Sequence, residues 1–342
     1  MKRRSLYFVK PFEVEVREES LPKLGPNELL LATEISAISP GSEMLVYRGE
    51  LPESNAEPSS LDSFSGNLSY PLKYGYSTVA KVVEVGSRAD AAWRGQRVFA
   101  FQPHQSQFVS QPEELLVIPD DVPDEDAIFL PNMETAVNLI MDGQPMLGEQ
   151  VAVFGQGIVG LLLTSLLSKY PLEDLLTLDN YENRRNASIE LGAHHSLAPN
   201  DSEDLDEVDA AWKASSGYPG ADLTYELSGH PATLDAAIAI TGFDGRIVIG
   251  SWYGSRRAEI DLGGKFHRSR IRLIASQVST ITPELSARWD KSRRFQTVWE
   301  MLRRVKPAKL ISHRFGLEDA AQAYELIDKQ PGEVIQVALT YK

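Results

Sequence analysis

Val151-Ala-Val-Phe-Gly-Gln-Gly-Ile-Val-Gly160 decides how the rest of the chain is read. Its opening apolar residues, Val151 to Phe154, predict a buried parallel strand. Gly155, Gly157 and Gly160 follow in the spacing G-x-G-x-x-G, and Ile158 to Leu167 is apolar enough for a buried helix. The first glycine permits a tight turn, the second lets backbone approach a pyrophosphate, and the third lets helix and strand pack closely. The helix N-terminus then offers free N–H groups and a positive dipole end. A lone glycine motif also occurs in turns of other α/β domains. Here a second strand, Leu175-Leu-Thr-Leu-Asp179, ends in an acid where a dinucleotide fold needs a carboxylate for the adenosine ribose. The stretch therefore predicts a bound dinucleotide held by Gly155, Gln156, Gly157, Ile158, Val159, Gly160, Asp179 and Asn180.

A length of 342 residues predicts two domains. The net charge of −14 argues against nucleic acid or an anionic membrane surface as partner. No apolar run approaches the ~18 residues of a membrane span. The basic opening Met1-Lys-Arg-Arg4 leads into a short apolar stretch ended by Lys10-Pro11, too short for a signal core, so the cytoplasm is the expected compartment. The chain has no cysteine, which excludes disulfides, thiolate catalysis and cysteine-ligated zinc.

In chain order, 6–16 and 28–38 read as strands around a turn at 23–27, and Met44–Arg48 as a helical turn. Residues 50–70, rich in proline, serine and acids, read as a long irregular loop of the kind used as a lid or binding loop. Thr78–Val85, Gln96–Phe101 and Ser106–Ser110 read as strands, making the first ~120 residues a small barrel-like β unit. Asp124–Met141 reads as helix broken or begun at Pro131. After the glycine motif, helices are expected at Tyr181–Leu191, Pro231–Ile240, Asp290–Arg304 and Leu317–Asp328. Strands are expected at Ala221–Leu227, Gly245–Gly250, Ile271–Ser276 and Val334–Thr340. Alternating strands and helices imply a parallel sheet covered on both faces.

A β-rich unit, then a dinucleotide unit, then a short C-terminal return resembles the medium-chain dehydrogenase/reductase superfamily, the alcohol dehydrogenase-like fold. The landmarks are Tyr47-Arg-Gly49, Val82-Val-Glu-Val-Gly86, Gly95-Gln-Arg-Val98, Thr135-Ala136, the glycine motif, Leu191-Gly-Ala193 and Glu318-Asp-Ala-Ala-Gln-Ala-Tyr324. The resemblance implies an α/β protein with a GroES-like β-barrel catalytic domain at 1–134, completed by 278–342, and a Rossmann doubly wound parallel sheet at 135–277. It also implies a nicotinamide cofactor and a small-molecule substrate in the cleft between the domains, and a homodimer joined through the Rossmann units.

In that family a catalytic zinc is held by a cysteine, a histidine and a cysteine or glutamate. Ser39-Pro-Gly-Ser-Glu43 resembles the first ligand loop with Pro40 in the cysteine's place, Tyr74-Gly-Tyr-Ser77 the second with Tyr76 for histidine, and Pro131 falls on the third. A slip of one or two residues there would bring Glu134 or Asn132 instead, but a single carboxylate does not make a zinc site. The lobe with four structural zinc cysteines is missing. A catalytic zinc needs three protein ligands, so the chain resembles a zinc-free member. Ser36–Ser42, Tyr70–Tyr76, Phe99–His104 and Leu130–Ala136 resemble the bacteriochlorophyllide 3-hydroxyethyl dehydrogenase-like branch, a mixed group that does not by itself fix the substrate.

Asp179 should accept from the ribose hydroxyls and repel a 2′-phosphate, which favours NAD; Arg184 and Arg185 point the other way, to NADP. By resemblance, Thr135 and Gln277 lie near the nicotinamide, Ser228, Gly250 and Ser251 lie along the dinucleotide, and Gln336 stands where relatives place a pyrophosphate-binding arginine. For the reaction centre, Tyr76 is the first candidate to act on the substrate oxygen. Ser42 falls at the family's proton-relay position, Glu134 is a candidate base or substrate anchor, and His104 a group able to switch protonation near neutrality. Each has a plainer reading: a packed tyrosine, a loop serine, a helix-start acid and an exposed loop histidine. Lys73 could face an acidic substrate group. His194-His195 lies at the third Rossmann strand, away from the expected cleft, and is not assigned a metal. The whole reads as a zinc-independent oxidoreductase on a carbonyl/secondary-alcohol pair. An enone reductase and a dinucleotide-holding sensor without chemistry are the alternatives.

Overall fold

The computed structural model describes residues 2–51 and 69–341. The chain divides into two compact units, Met1–Pro131 with Trp299–Lys342, and Asn132–Val298. The loop expected over 50–70 falls mostly outside the described residues.

The first unit opens with β1 (Lys2–Lys10) and β2 (Glu13–Ser20), an antiparallel hairpin and not one strand over 6–16. The alternating pattern runs straight through the turn. Phe12 takes the left-handed φ of 63° without the glycine that would mark it in sequence. The glycine-proline turn expected at 23–27 leads into a different sheet. There β3 (Leu29–Ile38), α1 (Ser42–Arg48), β4 (Thr78–Val85), β5 (Arg97–Ala100), β6 (Gln107–Ser110), β7 (Leu115–Val117) and α2 (Asp124–Ala127) follow. Helix α3 (Leu130–Gly143) starts afresh after α2, with Pro131 in its first turn, where its missing N–H costs nothing.

The second unit holds β8 (Gln150–Phe154), α4 (Ile158–Leu167), β9 (Asp174–Leu178), α5 (Glu182–Glu190), β10 (His195–Leu197) and α6 (Ser202–Ser216). It continues through β11 (Ala221–Glu226), α7 (Thr233–Ile240), β12 (Thr241–Ile249), β13 (Arg272–Ala275) and most of α8 (Lys291–Val305). Its six strands run in the order β10-β9-β8-β11-β12-β13, every pairing parallel. This is the doubly wound order, with the switch point between β8 and β11. Val151, Ala152, Val153, Leu175 and Leu176 are fully buried, as a sheet covered on both faces requires. Sequence reading missed α6. It is rich in acids, and only Val208 and Trp212 are buried, too few to write a helical stripe.

The chain returns to the first unit through β14 (Ile311–Gly316), α9 (Ala320–Lys329) and β15 (Gln336–Thr340). The second sheet of that unit runs β14-β15-β3-β4-β5-β7, with β6 also on β3. Residues 311–340 thus complete a sheet begun nearly three hundred residues earlier, with Val337 to Thr340 opposite Ile38 to Ile35. One core packs Leu6, Phe8, Ile38, Tyr74 and Tyr324; another packs Leu29, Leu31, Val98 and Phe108.

Candidate functional site

In the second unit the glycine turn sits at the C-terminal end of β8, beside the switch point. Gly155 takes φ +88°, and a Cβ on Gly160 would lie 1.9 Å from the Gly155 carbonyl oxygen, so only glycine lets α4 start there. A Cβ on Gly157 would meet nothing within 4 Å, which leaves open space at the N-terminus of α4. Gln156 is turned inward, its Oε1 accepting from Thr164. Ile158 is buried and Val159 half-buried at the helix start.

Asp179 follows β9 as expected, but its carboxylate faces the protein. Oδ2 accepts from the Gln156 N–H at 2.7 Å and Oδ1 from the Tyr181 N–H at 2.9 Å. Asn180 is exposed. Arg184 lies 3.9 Å from Asp179 and over the Tyr181 ring, and Arg185 donates to the Asp179 carbonyl. At the end of β11, Glu226 is fully buried and accepts from the Ser228 N–H and hydroxyl and from Tyr253, whose phenol burial pushes up. Ser251 accepts from the Gly229 N–H. A Cβ on Gly250 would strike Leu227 and Leu139. Glu226 was not singled out in sequence, where a strand-terminal glutamate carries no distinguishing spacing.

Thr135 and Glu134 lie in the first turns of α3. Glu134 is closed in an ion pair: Arg294 of α8, fully buried, approaches Glu134 Oε1 at 2.6 and 3.0 Å. The same guanidinium donates to Asn138 Oδ1 and to the Thr280 and Val278 carbonyls. Burial pushes the Glu134 carboxyl up, and the guanidinium works against that shift. Glu134 is therefore neither a free base nor a free anchor; Arg294 holds it. An arginine on a basic helix gave no sign in sequence that it would be buried. Gln277 is exposed, its Oε1 accepting from the Ser279 N–H.

In the first unit, Tyr76 and Ser42 come together. The Tyr76 hydroxyl lies 2.6 Å from Ser39 Oγ and 2.9 Å from Ser42 Oγ, and Ser42 donates to Ser39 at 3.1 Å. Burial pushes the Tyr76 phenol up, the serine hydrogen bonds partly offsetting it. It therefore stays protonated at neutrality. Below this triangle lies a network that sequence reading did not assemble. Glu43 Oε1 accepts from the Ser39 N–H at 2.9 Å, and Oε2 faces His104 Nε2 at 3.0 Å and the Tyr324 hydroxyl. His104 Nδ1 lies 2.7 Å from Ser36 Oγ, itself 2.7 Å from the Tyr341 hydroxyl.

Three expectations are corrected here. His104 lies in the loop between β5 and β6 but is 0% exposed with both ring nitrogens partnered, so it is not an exposed histidine and is out of reach of a substrate. Lys73 pairs with Glu19 at 3.0 Å. Gln336 is buried, and both hydrogens of its amide nitrogen are given to the Ile38 and Val337 carbonyls. Only an acceptor remains, which cannot replace an arginine on a pyrophosphate.

A metal fits the first unit poorly. Pro40 and Pro131 offer no side-chain donor atom, and the Tyr76 hydroxyl is bound to two serines. Among the described residues, no three histidine, aspartate or glutamate side chains group around a point that could hold an ion.

Residues 159–302 match the family described as zinc-binding dehydrogenase. An alcohol dehydrogenase of Cupriavidus necator is 23% identical, over 98% of this chain and 98% of its own. The solved structure of a short chain alcohol dehydrogenase from Escherichia coli CFT073, complexed with cofactor NADH, superposes with a TM-score of 0.77 at 21% identity. It covers 99% of both chains. That of 2R,3R-butanediol dehydrogenase from Bacillus subtilis superposes with a TM-score of 0.78 at 19% identity, again over 99% of both. Residues 159–302 are thus similar to a zinc-binding dehydrogenase family, and along its whole length the chain shares the fold of these solved alcohol dehydrogenases.

Proposed function

We propose that this protein is an NAD(P)-dependent oxidoreductase interconverting a carbonyl and a secondary alcohol in a small substrate, with Tyr76 taking the place of zinc at the substrate oxygen. The observation that carries this reading is the Tyr76 hydroxyl held between Ser39 and Ser42. It stands at a position where the family has a metal ligand, while the other two ligand positions are prolines. The open space at Gly157, the N-terminus of α4 and the acid after β9 suit a dinucleotide. When bound, the nicotinamide supplies or accepts the hydride. In the reducing direction a protonated phenol donates to the carbonyl oxygen as charge develops there, and the proton it gives up is replaced through Ser42 and Ser39. In the oxidising direction the proton moves the opposite way.

NAD is favoured over NADP, because Asp179 turned outward would accept from the ribose and repel a 2′-phosphate. The Gln156 and Tyr181 N–H groups that now hold it in place are a cost to that turn. Arg184 and Arg185 support the alternative. A homodimer through the β13 edge is part of the reading: β13 ends its sheet with Leu273 exposed, and an unpaired edge invites pairing. Cytoplasmic residence also belongs to it.

The experiment is NADH consumption with a panel of hydroxyketones and ketoses, acetoin and xylulose among them, for wild type and Tyr76→Phe. Turnover lowered by roughly 10²–10⁴ in the variant, with NADH affinity unchanged, is expected. Equal turnover removes Tyr76 from the chemistry. Tight NADH binding with no turnover on any member favours a sensor.

A further inference from the structure

Ser36, His104 and Glu43 stand in the order of a nucleophilic triad, His104 Nδ1 at 2.7 Å from the serine and Nε2 at 3.0 Å from the carboxylate. All three are fully buried, so no substrate reaches the serine. We infer that this buried group serves Tyr76 instead, and that Glu43 and His104 are positioning residues for its hydroxyl. The inference rests on the proposed role of Tyr76.

Two routes lead from the pair to Tyr76. The first runs through Ser39. Its N–H donates to Glu43 Oε1 at 2.9 Å and its carbonyl accepts from the Glu43 N–H at 3.1 Å, a reciprocal clamp across the turn 39–43. The hydroxyl of that clamped serine lies 2.6 Å from the Tyr76 hydroxyl. The second route runs through Gly75, the residue before Tyr76. Gly75 takes φ +127°, and a Cβ there would lie 3.0 Å from His104 Cδ2 and Nε2. The imidazole thus lies against the backbone that carries Tyr76 while bonding the carboxylate that fixes Ser39. One ring sets both the backbone and the hydroxyl partner of the same phenol.

The other groups facing the pair are hydroxyls. Tyr324 donates to Glu43 from α9, and Ser36 on β3 links His104 to Tyr341. The Glu43 carboxylate is thereby held by three groups, the Ser39 N–H of its own turn and His104 and Tyr324 from two segments distant in sequence. Such a network keeps its geometry only while every member is satisfied.

The test labels tyrosine at the ring Cζ with carbon-13 and identifies the Tyr76 resonance by its loss in Tyr76→Phe. Glu43→Ala should move or broaden that resonance, and Glu43→Gln, which keeps the acceptor for the Ser39 N–H, should restore it in large part. His104→Gln is the second variant, used if Glu43→Ala does not fold; it should also displace the resonance. With acetoin and NADH, Glu43→Ala should lower kcat by roughly 10–100-fold at little change in KM or NADH affinity. In the Tyr76→Phe background the same change should have almost no further effect. A Tyr76 resonance unmoved in folded Glu43→Ala and His104→Gln overturns the inference, as does a Glu43 effect that adds fully to that of Tyr76→Phe. Full turnover in Tyr76→Phe alone overturns the proposed function, while the resonance still decides the positioning.

Discussion

The turn 155–160 of the second unit and the turn 39–43 of the first are built in opposite ways. The turn 155–160 of the second unit does its work with backbone: glycines make room, and N–H groups at the start of α4 face outward. The turn 39–43 of the first unit works with side chains: its partners are Tyr76, His104 and Tyr324, with Ser36 and Tyr341 bonded behind His104. The first tolerates no added atom at Gly155 or Gly160, while the second depends on the side-chain atoms it already has.

The largest effect tests whether the second unit is as backbone-dependent as its turn. Arg294 joins Glu134, Asn138 and the 278–280 segment there. Arg294→Met leaves the buried Glu134 unpaired and should cost about 3–5 kcal/mol of stability, read by denaturant unfolding. A loss below about 1 kcal/mol, the scale of an exposed pair, would show that Glu134 is well solvated without it. Next, Gly160→Ala puts a methyl into the Gly155 carbonyl oxygen. NADH binding should weaken by about tenfold or more, close to 1.4 kcal/mol, with the first unit's turn untouched. Undiminished binding would mean that the strand–helix approach is looser than its 1.9 Å clearance implies.

What sequence reading found and missed follows the same division. A backbone turn must be written locally, because the residues that need the room are neighbours in the chain. The glycine motif, β8, α4 and the acid after β9 were therefore legible. Tyr76 and Ser42 were found through resemblance, at positions of lost ligands. The contacts of His104 with Ser36 and Glu43, the Tyr324 and Tyr341 hydroxyls on Glu43 and Ser36, and the Arg294–Glu134 pair join residues tens to hundreds of positions apart. No periodicity or spacing reports such pairs. His104 reads as exposed because it lies in a loop beside Pro103 and Gln105; its burial comes from residues elsewhere in the chain.

A smaller effect separates the two cofactors. Asp179→Ala removes the carboxylate and leaves Arg184 and Arg185, so the NADH preference should narrow by roughly tenfold or reverse, about 1.4 kcal/mol by titration of both cofactors. A wild type that already prefers NADPH tenfold would assign the site to the arginines.

The smallest effect lies in the first unit's hairpin. Burial raises the Glu19 carboxyl, but hydrogen bonds from Ser5, Tyr7 and Lys73 and the Lys73 charge outweigh it and hold it at about 2. A carboxyl depressed from its ordinary 4.5 stabilises the fold above that value. The contribution is lost as pH falls from there through about 2. The melting temperatures of wild type and Glu19→Gln should therefore differ at neutrality and converge on acidification. A gap independent of pH would mean the ionised carboxylate contributes nothing.

Zinc content tests the difference between the two turns most directly, because the matched family is described as zinc-binding and the turn 39–43 here presents the hydroxyls of Ser39 and Ser42 to Tyr76. The purified protein, equilibrated with micromolar zinc and then dialysed, is assayed by elemental analysis with NADH present and absent. Far less than one zinc per chain, and a melting temperature unmoved by chelator, is the predicted result. One tightly held zinc per chain would contradict the account and return the substrate oxygen to a metal.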